Sequence, residues 1–252
     1  MAEALIELRG VRAGYPGRDV PVLDGCDFTF REGDKVGLLG PNGSGKTTLL
    51  HVMMGLLVPA AGEVRYLGRR VCSENDFREV RLGVGLLLQN ADDQLFFPTV
   101  LDDVAFGPLN QGLSPAKARD AAVQTLESLG LSGFENRLTH RLSGGEKKLV
   151  SLAAVLAMQP KALLLDEPTN GLDPETRDRL VDILAGLDRS SLIISHDWDF
   201  LARASTTFRS IRHGHVHVEP ASIVHAHYHQ HPLGGVEHEH VESVAEHHPD
   251  DG

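Results

Sequence analysis

Apolar and polar residues alternate over residues 5–8 and 22–30, the two-residue period of half-buried strands, with Gly14, Pro16 and Gly17 interrupting the chain between them. The short apolar run Val36-Gly37-Leu38-Leu39 predicts a buried strand that leads into a glycine-rich turn. Beyond the turn, Leu49, Leu50, Met53 and Met54 recur at helical spacing and predict a helix over residues 47–57. Residues 84–88 predict another buried strand. The pattern then turns mostly helical from residue 90 to 159. Ser114-Pro115, a cap followed by a first-turn proline, starts one helix there, and residues 142–158 form another. Buried strands resume at 162–165 and 192–194, with a helix between them beginning near Pro174. Residues 207–211 and 216–218 flank His213-Gly214 and predict a hairpin.

Helices alternating with apolar strands imply an α/β, doubly wound sheet, with residues 90–159 inserted as a helical subdomain. The expected division is a folded domain over residues 1–218 and a tail over 219–252. The tail shows no apolar periodicity and is expected to be disordered. No internal repeat is visible.

Composition narrows the function classes. The chain has 252 residues, 41% hydrophobic, which suffices for a large core. Aromatic residues make up only 5%, so no stacking platform for single-stranded nucleic acid is indicated. The net charge of −11 argues further against nucleic acid as a partner. Seven acids and no Lys or Arg lie from His213 onward, so the tail carries most of that charge. Cys26 and Cys72 are far apart and in no metal-ligand spacing, which fits a reducing compartment. Met1-Ala2-Glu3-Ala4 does not read as a signal peptide, and no run approaches the roughly 20 apolar residues that span a bilayer. Work at a membrane would therefore go through a partner.

Three motifs carry chemistry. Gly40-Pro41-Asn42-Gly43-Ser44-Gly45-Lys46-Thr47 matches the phosphate-binding loop in full and sits between a predicted strand and a predicted helix. Glycines let backbone N–H groups wrap phosphates, and the helix N-terminus favours their charge. Lys46 is placed to reach the β- and γ-phosphates of ATP, the Thr47 hydroxyl to bind Mg²⁺, and Thr48 to support the α-phosphate. An apolar strand then ends in Asp166-Glu167. There Asp166 would hold Mg²⁺ and Glu167 would orient and deprotonate an attacking water. Finally, Leu142-Ser143-Gly144-Gly145-Glu146 precedes a helix with Ser143 at the cap position, a second anion-binding helix N-terminus about 100 residues after the first.

In this order the motifs resemble those of the ATP-binding-cassette (ABC) ATPases, over roughly residues 4 to 218. The resemblance implies a P-loop NTPase, RecA-like core with an N-terminal antiparallel β subdomain. It also implies a homodimer that sandwiches two ATP, in which Ser143, Gly144 and Gly145 of one chain close on the γ-phosphate held by the other. It makes Tyr15 the adenine-stacking aromatic, the alternative being a strand-edge tyrosine. Gln89 corresponds to the glutamine that senses Mg²⁺ and the attacking water, Asp173 to the loop that communicates across the dimer, and His196 to the switch histidine at the γ-phosphate. Each composite site would then hydrolyse ATP by positioning and electrostatics.

Within that family, Gln89-Asn90-Ala91-Asp92-Asp93-Gln94-Leu95-Phe96, Pro98-Thr99-Val100 and Asp103-Val104-Ala105-Phe106-Gly107-Pro108 resemble the energy-coupling-factor branch, particularly its nickel and cobalt importers. Glu146-Lys147-Lys148, in place of a glutamine-rich continuation, points to the same group. The resemblance implies integral membrane coupling and substrate-binding subunits and a peripheral position on the cytoplasmic face of the cell membrane. It also implies a groove beside the glutamine loop where the membrane protein docks. Leu95 and Phe96 either line that groove or belong to the subdomain core.

Eleven of the fourteen histidines lie between His213 and His248. His225, His227, His229 and His231 alternate with other residues, as do His238 and His240, while His247 and His248 are adjacent. Imidazoles so spaced on a chain rich in acids suit Ni²⁺, Co²⁺, Zn²⁺ or Cu²⁺. The expectation is a tail that buffers or senses the transported metal, against a polar tail with no role. The competing function is an importer ATPase for another substrate, such as a vitamin, with the tail incidental.

Overall fold

The computed structural model describes residues 3–17, 20–220, 225–229 and 238–242. Two sheets organise the chain. The first is antiparallel: β1 (Ala4–Ala13) lies between β2 (Leu23–Arg31) and β4 (Ala61–Tyr66), and β5 (Arg69–Val71) extends it in the order β2-β1-β4-β5. The second sheet has six strands. They are β3 (Lys35–Leu39), β6 (Val84–Leu87), β7 (Ala162–Asp166), β8 (Ser190–Ile194), β9 (Thr207–Arg212) and β10 (His215–Glu219). Their order is β10-β9-β3-β8-β7-β6, parallel throughout except for the antiparallel edge strand β10.

Every residue of β7 and β8 is buried, as expected for parallel strands covered on both faces. Their side chains divide by parity. Leu163, Leu165 and Ile193 join a core made mainly with the helices α3 (Val100–Asn110), α4 (Pro115–Ser128), α5 (Gly144–Leu156) and α6 (Pro174–Gly186). Ala162, Leu164, Leu192 and Ile194 join the opposite core with α1 (Lys46–Met53) and the antiparallel sheet. Because successive strand residues face opposite sides, Asp166 falls on the α1 side. The phosphate loop, Asp166-Glu167 and His196 all leave the carboxyl ends of β3, β7 and β8, where ligands bind in open α/β sheets.

Several elements differ from expectation. The helix expected over 47–57 ends at Met53, because Gly55 turns the chain with φ 68° and a side chain there would collide with the Phe77 ring. Strands β4 and β5 and helices α2 (Glu74–Gly83) and α7 (Trp198–Ala204) went unpredicted: the strands and α7 are short, and α2 buries only Phe77 and Val80. A signal for α2 was present, since Ser73 and Asp76 form a reciprocal capping box. Within the tail expected to be disordered, β11 (His225–His229) pairs antiparallel with β12 (His238–Glu242). Histidine alternates there with other residues, and that two-residue period suits a strand whatever its polarity. No helix among the described residues is long and apolar enough to cross a membrane.

Candidate functional site

Gly45 occupies the cap position of α1 with φ 111°, a left-handed conformation that favours glycine. A side chain at Gly45 would press on Leu23, Val22 and Ile211, so glycine also satisfies packing. The loop wraps its own lysine: Lys46 Nζ donates to the carbonyls of Gly40 (2.7 Å) and Pro41 (3.0 Å). Burial pushes the Lys46 ammonium below its ordinary pKa, against the pull of Glu167 and Asp166.

Across the site, Thr47 Oγ1 donates to Asp166 Oδ2 at 2.8 Å. Burial raises the Asp166 carboxyl, while the Thr47 hydrogen bond and the nearby charges of His51, Lys46 and Lys148 oppose the rise. A hydroxyl and a carboxylate so close are hard oxygen donors suited to Mg²⁺. Glu167 follows with φ 45°, unusual for a residue with a side chain, and its N–H donates to the Ile194 carbonyl (2.9 Å). Its Oε2 accepts from the His196 backbone N–H (3.2 Å). Its Oε1 lies 3.2 Å from His196 Nε2 but off the hydrogen-bonding direction, and it is buried without a partner. Ser44 Oγ is likewise buried and unpartnered. The orphaned Glu167 oxygen, on the wall of the site beside the phosphate loop, fits a site that takes a polar ligand.

These groups surround a cavity of about 550 Å³ that contains Tyr15, Asn42, Gly43, Gly45, Lys46, Thr47, Thr48, Gln89, Asp166, Glu167 and His196 among its walls. Tyr15 stands at the rim, its hydroxyl accepting from Thr48 Oγ1 (3.4 Å) and lying 3.3 Å from His51 Nδ1. Gly40 and Pro41 do not line the cavity but hold Lys46 through their carbonyls, and His196 Nε2 lies 3.1 Å from Asn42 Oδ1. Thr169, Asn170, Gly171, Ser195 and Asp197 also line the cavity and were not anticipated. Asp197 is held by two hydrogen bonds from Arg177 (2.5 and 2.7 Å). That pairing spans 20 residues, and no local motif announces it.

Ser143, Gly144, Gly145 and Asp173 stand apart from this cavity. Ser143 caps α5, its Oγ accepting from the Glu146 N–H (3.2 Å) while Glu146 Oε2 accepts from the Ser143 N–H (2.8 Å). Asp173 caps α6 by accepting from the Thr176 N–H (3.0 Å). The two caps adjoin, since a side chain at Gly145 would come within 2.8 Å of Thr176 Cγ2. Gly144 has nothing near it and is exposed.

The ABC transporter family model matches residues 23–170. The chain belongs to the ABC transporter family. It is 56% identical over 236 residues to a Nitratidesulfovibrio vulgaris protein provisionally named an ABC transporter ATP-binding protein, covering 94% of this chain and 86% of that one. It is 46% identical over 203 residues to an energy-coupling factor transporter ATP-binding protein of Methanothermobacter thermautotrophicus, covering 79% and 65%. A cobalt import ATP-binding protein of Syntrophus aciditrophicus is 41% identical over 192 residues, covering 76% and 69%. Among solved structures, cbiO1 of Clostridium perfringens, part of the ABC transporter complex cbiONQ, superposes with a TM-score of 0.74 at 30% identity, covering 86% and 88%. The dimeric bacterial ABC transporter cassette MJ0796 gives 0.75 at 26%, covering 84% and 96%. This ABC cassette is an ATPase with the α/β cassette fold, and ABC ATPases bind ATP with Mg²⁺.

A second surface on the cassette concerns the glutamine-loop region. The two-way reading of Leu95 and Phe96 divides between them: Leu95 packs on the helical core, while Phe96 is 74% exposed. Phe96 borders a mostly apolar groove of about 260 Å³ with Leu56, Phe106, Ala154 and Met158. In the tail, the β11–β12 register sets His227 opposite His240 and His229 opposite His238, with His225 opposite Glu242. His231, His247 and His248 lie outside the described residues. Among the described residues no cluster of His, Cys, Asp and Glu is placed to hold a metal.

Proposed function

We propose that this cassette hydrolyses ATP to drive an energy-coupling-factor importer of a divalent transition metal, nickel or cobalt, as a homodimer seated on the cytoplasmic face of its membrane subunits. The hydrolytic reading rests on one observation above all: the orphaned Glu167 Oε1, buried beside His196 and across from Lys46, Thr47 and Asp166. Glu167 accepts a proton from water in line with the γ-phosphate, and His196 and Gln89 hold that water and the phosphate in place. Lys46 leaves its carbonyl partners for the β- and γ-phosphates. Thr47, Asp166 and Gln89 hold Mg²⁺, which supplies charge neutralisation on the phosphate oxygens. Tyr15 stacks on the adenine. Ser143, Gly144, Gly145 and Asp173, remote from their own cavity, complete the site of a second cassette.

The metal reading is supported by the energy-coupling factor and cobalt import relatives and by the likeness to cbiO1. The groove at Phe96 has the apolar character to receive a helix from a membrane subunit. The histidine-rich tail beyond residue 218 binds the transported metal. Cells that express the complete complex should accumulate nickel or cobalt, and the Glu167→Gln variant should not. Vitamin uptake that depends on Glu167, without metal uptake, would overturn the metal assignment.

A further inference from the structure

The Glu146-Lys147-Lys148 run has two lysines that the hydrolytic chemistry leaves unused. Lys148 is 3% exposed, and its Nζ donates to the carbonyls of Leu88 (2.9 Å) and Gln89 (2.5 Å). Strand β6 has ended at Leu87, so these two carbonyls leave the sheet without a strand partner. Lys147 Nζ reaches Asp92 Oδ1 at 2.6 Å, in the turn that follows Gln89. Both lysines lie about one helical turn from Ser143, roughly 6–8 Å along the α5 axis. From within the loop, Gln94 Oε1 accepts from the Leu88 N–H (3.1 Å), and Gln94 Nε2 donates to the Leu86 carbonyl (3.2 Å). The glutamine loop is thus tied to α5 by two cations and internally by one amide.

We propose that Lys147 and Lys148 clamp the glutamine loop to α5, so that docking of Ser143 on the partner cassette's ATP sets the position of Gln89 in the chain's own site. The inference rests on the roles assigned above to Ser143 and Gln89. Physically, a helix is stiff over one turn, and a buried ammonium bonded to two carbonyls is costly to pull free. Movement of the α5 N-terminus toward or away from the partner therefore carries residues 88–92 with it. Lys147 and Lys148 are positioning residues: neither lines the nucleotide cavity, and they link the two sites of the dimer through backbone.

The test uses the full chain in its complex with the membrane subunits. Lys148→Met should lower kcat about tenfold while ATP affinity, measured by equilibrium binding, changes by less than about twofold, and the Hill coefficient for ATP should fall toward one. Lys148→Arg should recover part of the loss. The half-exposed pair gives an independent arm that does not threaten folding. Lys147→Glu should lower kcat and the Hill coefficient, and Lys147→Glu combined with Asp92→Lys should restore both, which a merely structural role would not predict. Wild-type kcat and Hill coefficient in Lys148→Met and Lys147→Glu overturn the clamp. Ser143→Arg separates the underlying reading: if it leaves hydrolysis intact, the two-chain site fails and the clamp with it. If it abolishes hydrolysis while the lysine variants are silent, only the clamp fails.

Discussion

The Thr47 hydroxyl donates to Asp166 Oδ2 at 2.8 Å across 119 residues of sequence. It joins the phosphate loop to the end of β7 and sets two oxygen atoms side by side. Removing either should weaken Mg²⁺ binding during hydrolysis more than it weakens nucleotide binding. Thr47→Ala is expected to raise the Mg²⁺ concentration for half-maximal ATPase activity about tenfold or more, and Asp166→Asn to abolish turnover, as read from Mg²⁺ titrations at saturating ATP. Unchanged Mg²⁺ dependence in both variants would exclude this pair as the metal ligands.

Glu167→Gln keeps the shape of the side chain and removes its capacity to take a proton. It should lower kcat by about a hundredfold or more with ATP binding retained, and it should accumulate an ATP-bound dimer by size-exclusion chromatography. Loss of ATP binding instead would mean that Glu167 shapes the pocket rather than the chemistry.

Gly55 closes α1 in a left-handed conformation against the Phe77 ring. Gly55→Ala meets both a backbone penalty and a collision with that ring. The expected loss is about 2–4 kcal/mol of folding stability by urea denaturation. A wild-type midpoint would show that the Phe77 ring swings aside freely.

Burial lowers the Lys148 ammonium from its ordinary 10.5 to about 8, although Asp166 and Glu167 pull the other way. Between those two values the unfolded chain still holds the proton that the folded chain has released. This group's contribution to stability therefore rises with pH from about 8 to 10.5. Urea midpoints compared between the wild type and Lys148→Met should diverge through that window in the wild type's favour. Parallel curves would place the Lys148 pKa at its ordinary value.

A chain ending at Glu219 should keep the ATPase activity of the full chain and lose Ni²⁺ or Co²⁺ binding at micromolar concentration in calorimetry. Unchanged metal binding would remove the tail from the metal reading.

The local chemistry was largely readable in advance. A phosphate loop declares itself because wrapping a phosphate needs glycines and a lysine at set spacings, and all of them are contiguous from Gly40 to Thr47. The buried strands β3, β7 and β8 declare themselves as unbroken apolar runs. Of the elements that escaped, β4, β5 and α7 are short, and α2 buries only Phe77 and Val80, so few apolar positions mark them. The end of α1 escaped because the apolar spacing continues to Leu57 while Gly55, one residue, turns the chain.

By itself the sequence determined the family of chemistry: a phosphate loop, a carboxylate pair at a strand end and a second glycine-bearing helix start. Only the tertiary structure decided which groups meet. Strand parity put Asp166 on the α1 side beside Thr47, the carboxyl ends of β7 and β8 brought Glu167 to His196, and Arg177 found Asp197. It also kept Ser143 out of its own cavity and gave Lys147 and Lys148 to the glutamine loop 55 to 60 residues upstream. The reason is physical: motif chemistry depends on neighbours along the chain, whereas these pairings depend on how strands and helices stack, which no local spacing records.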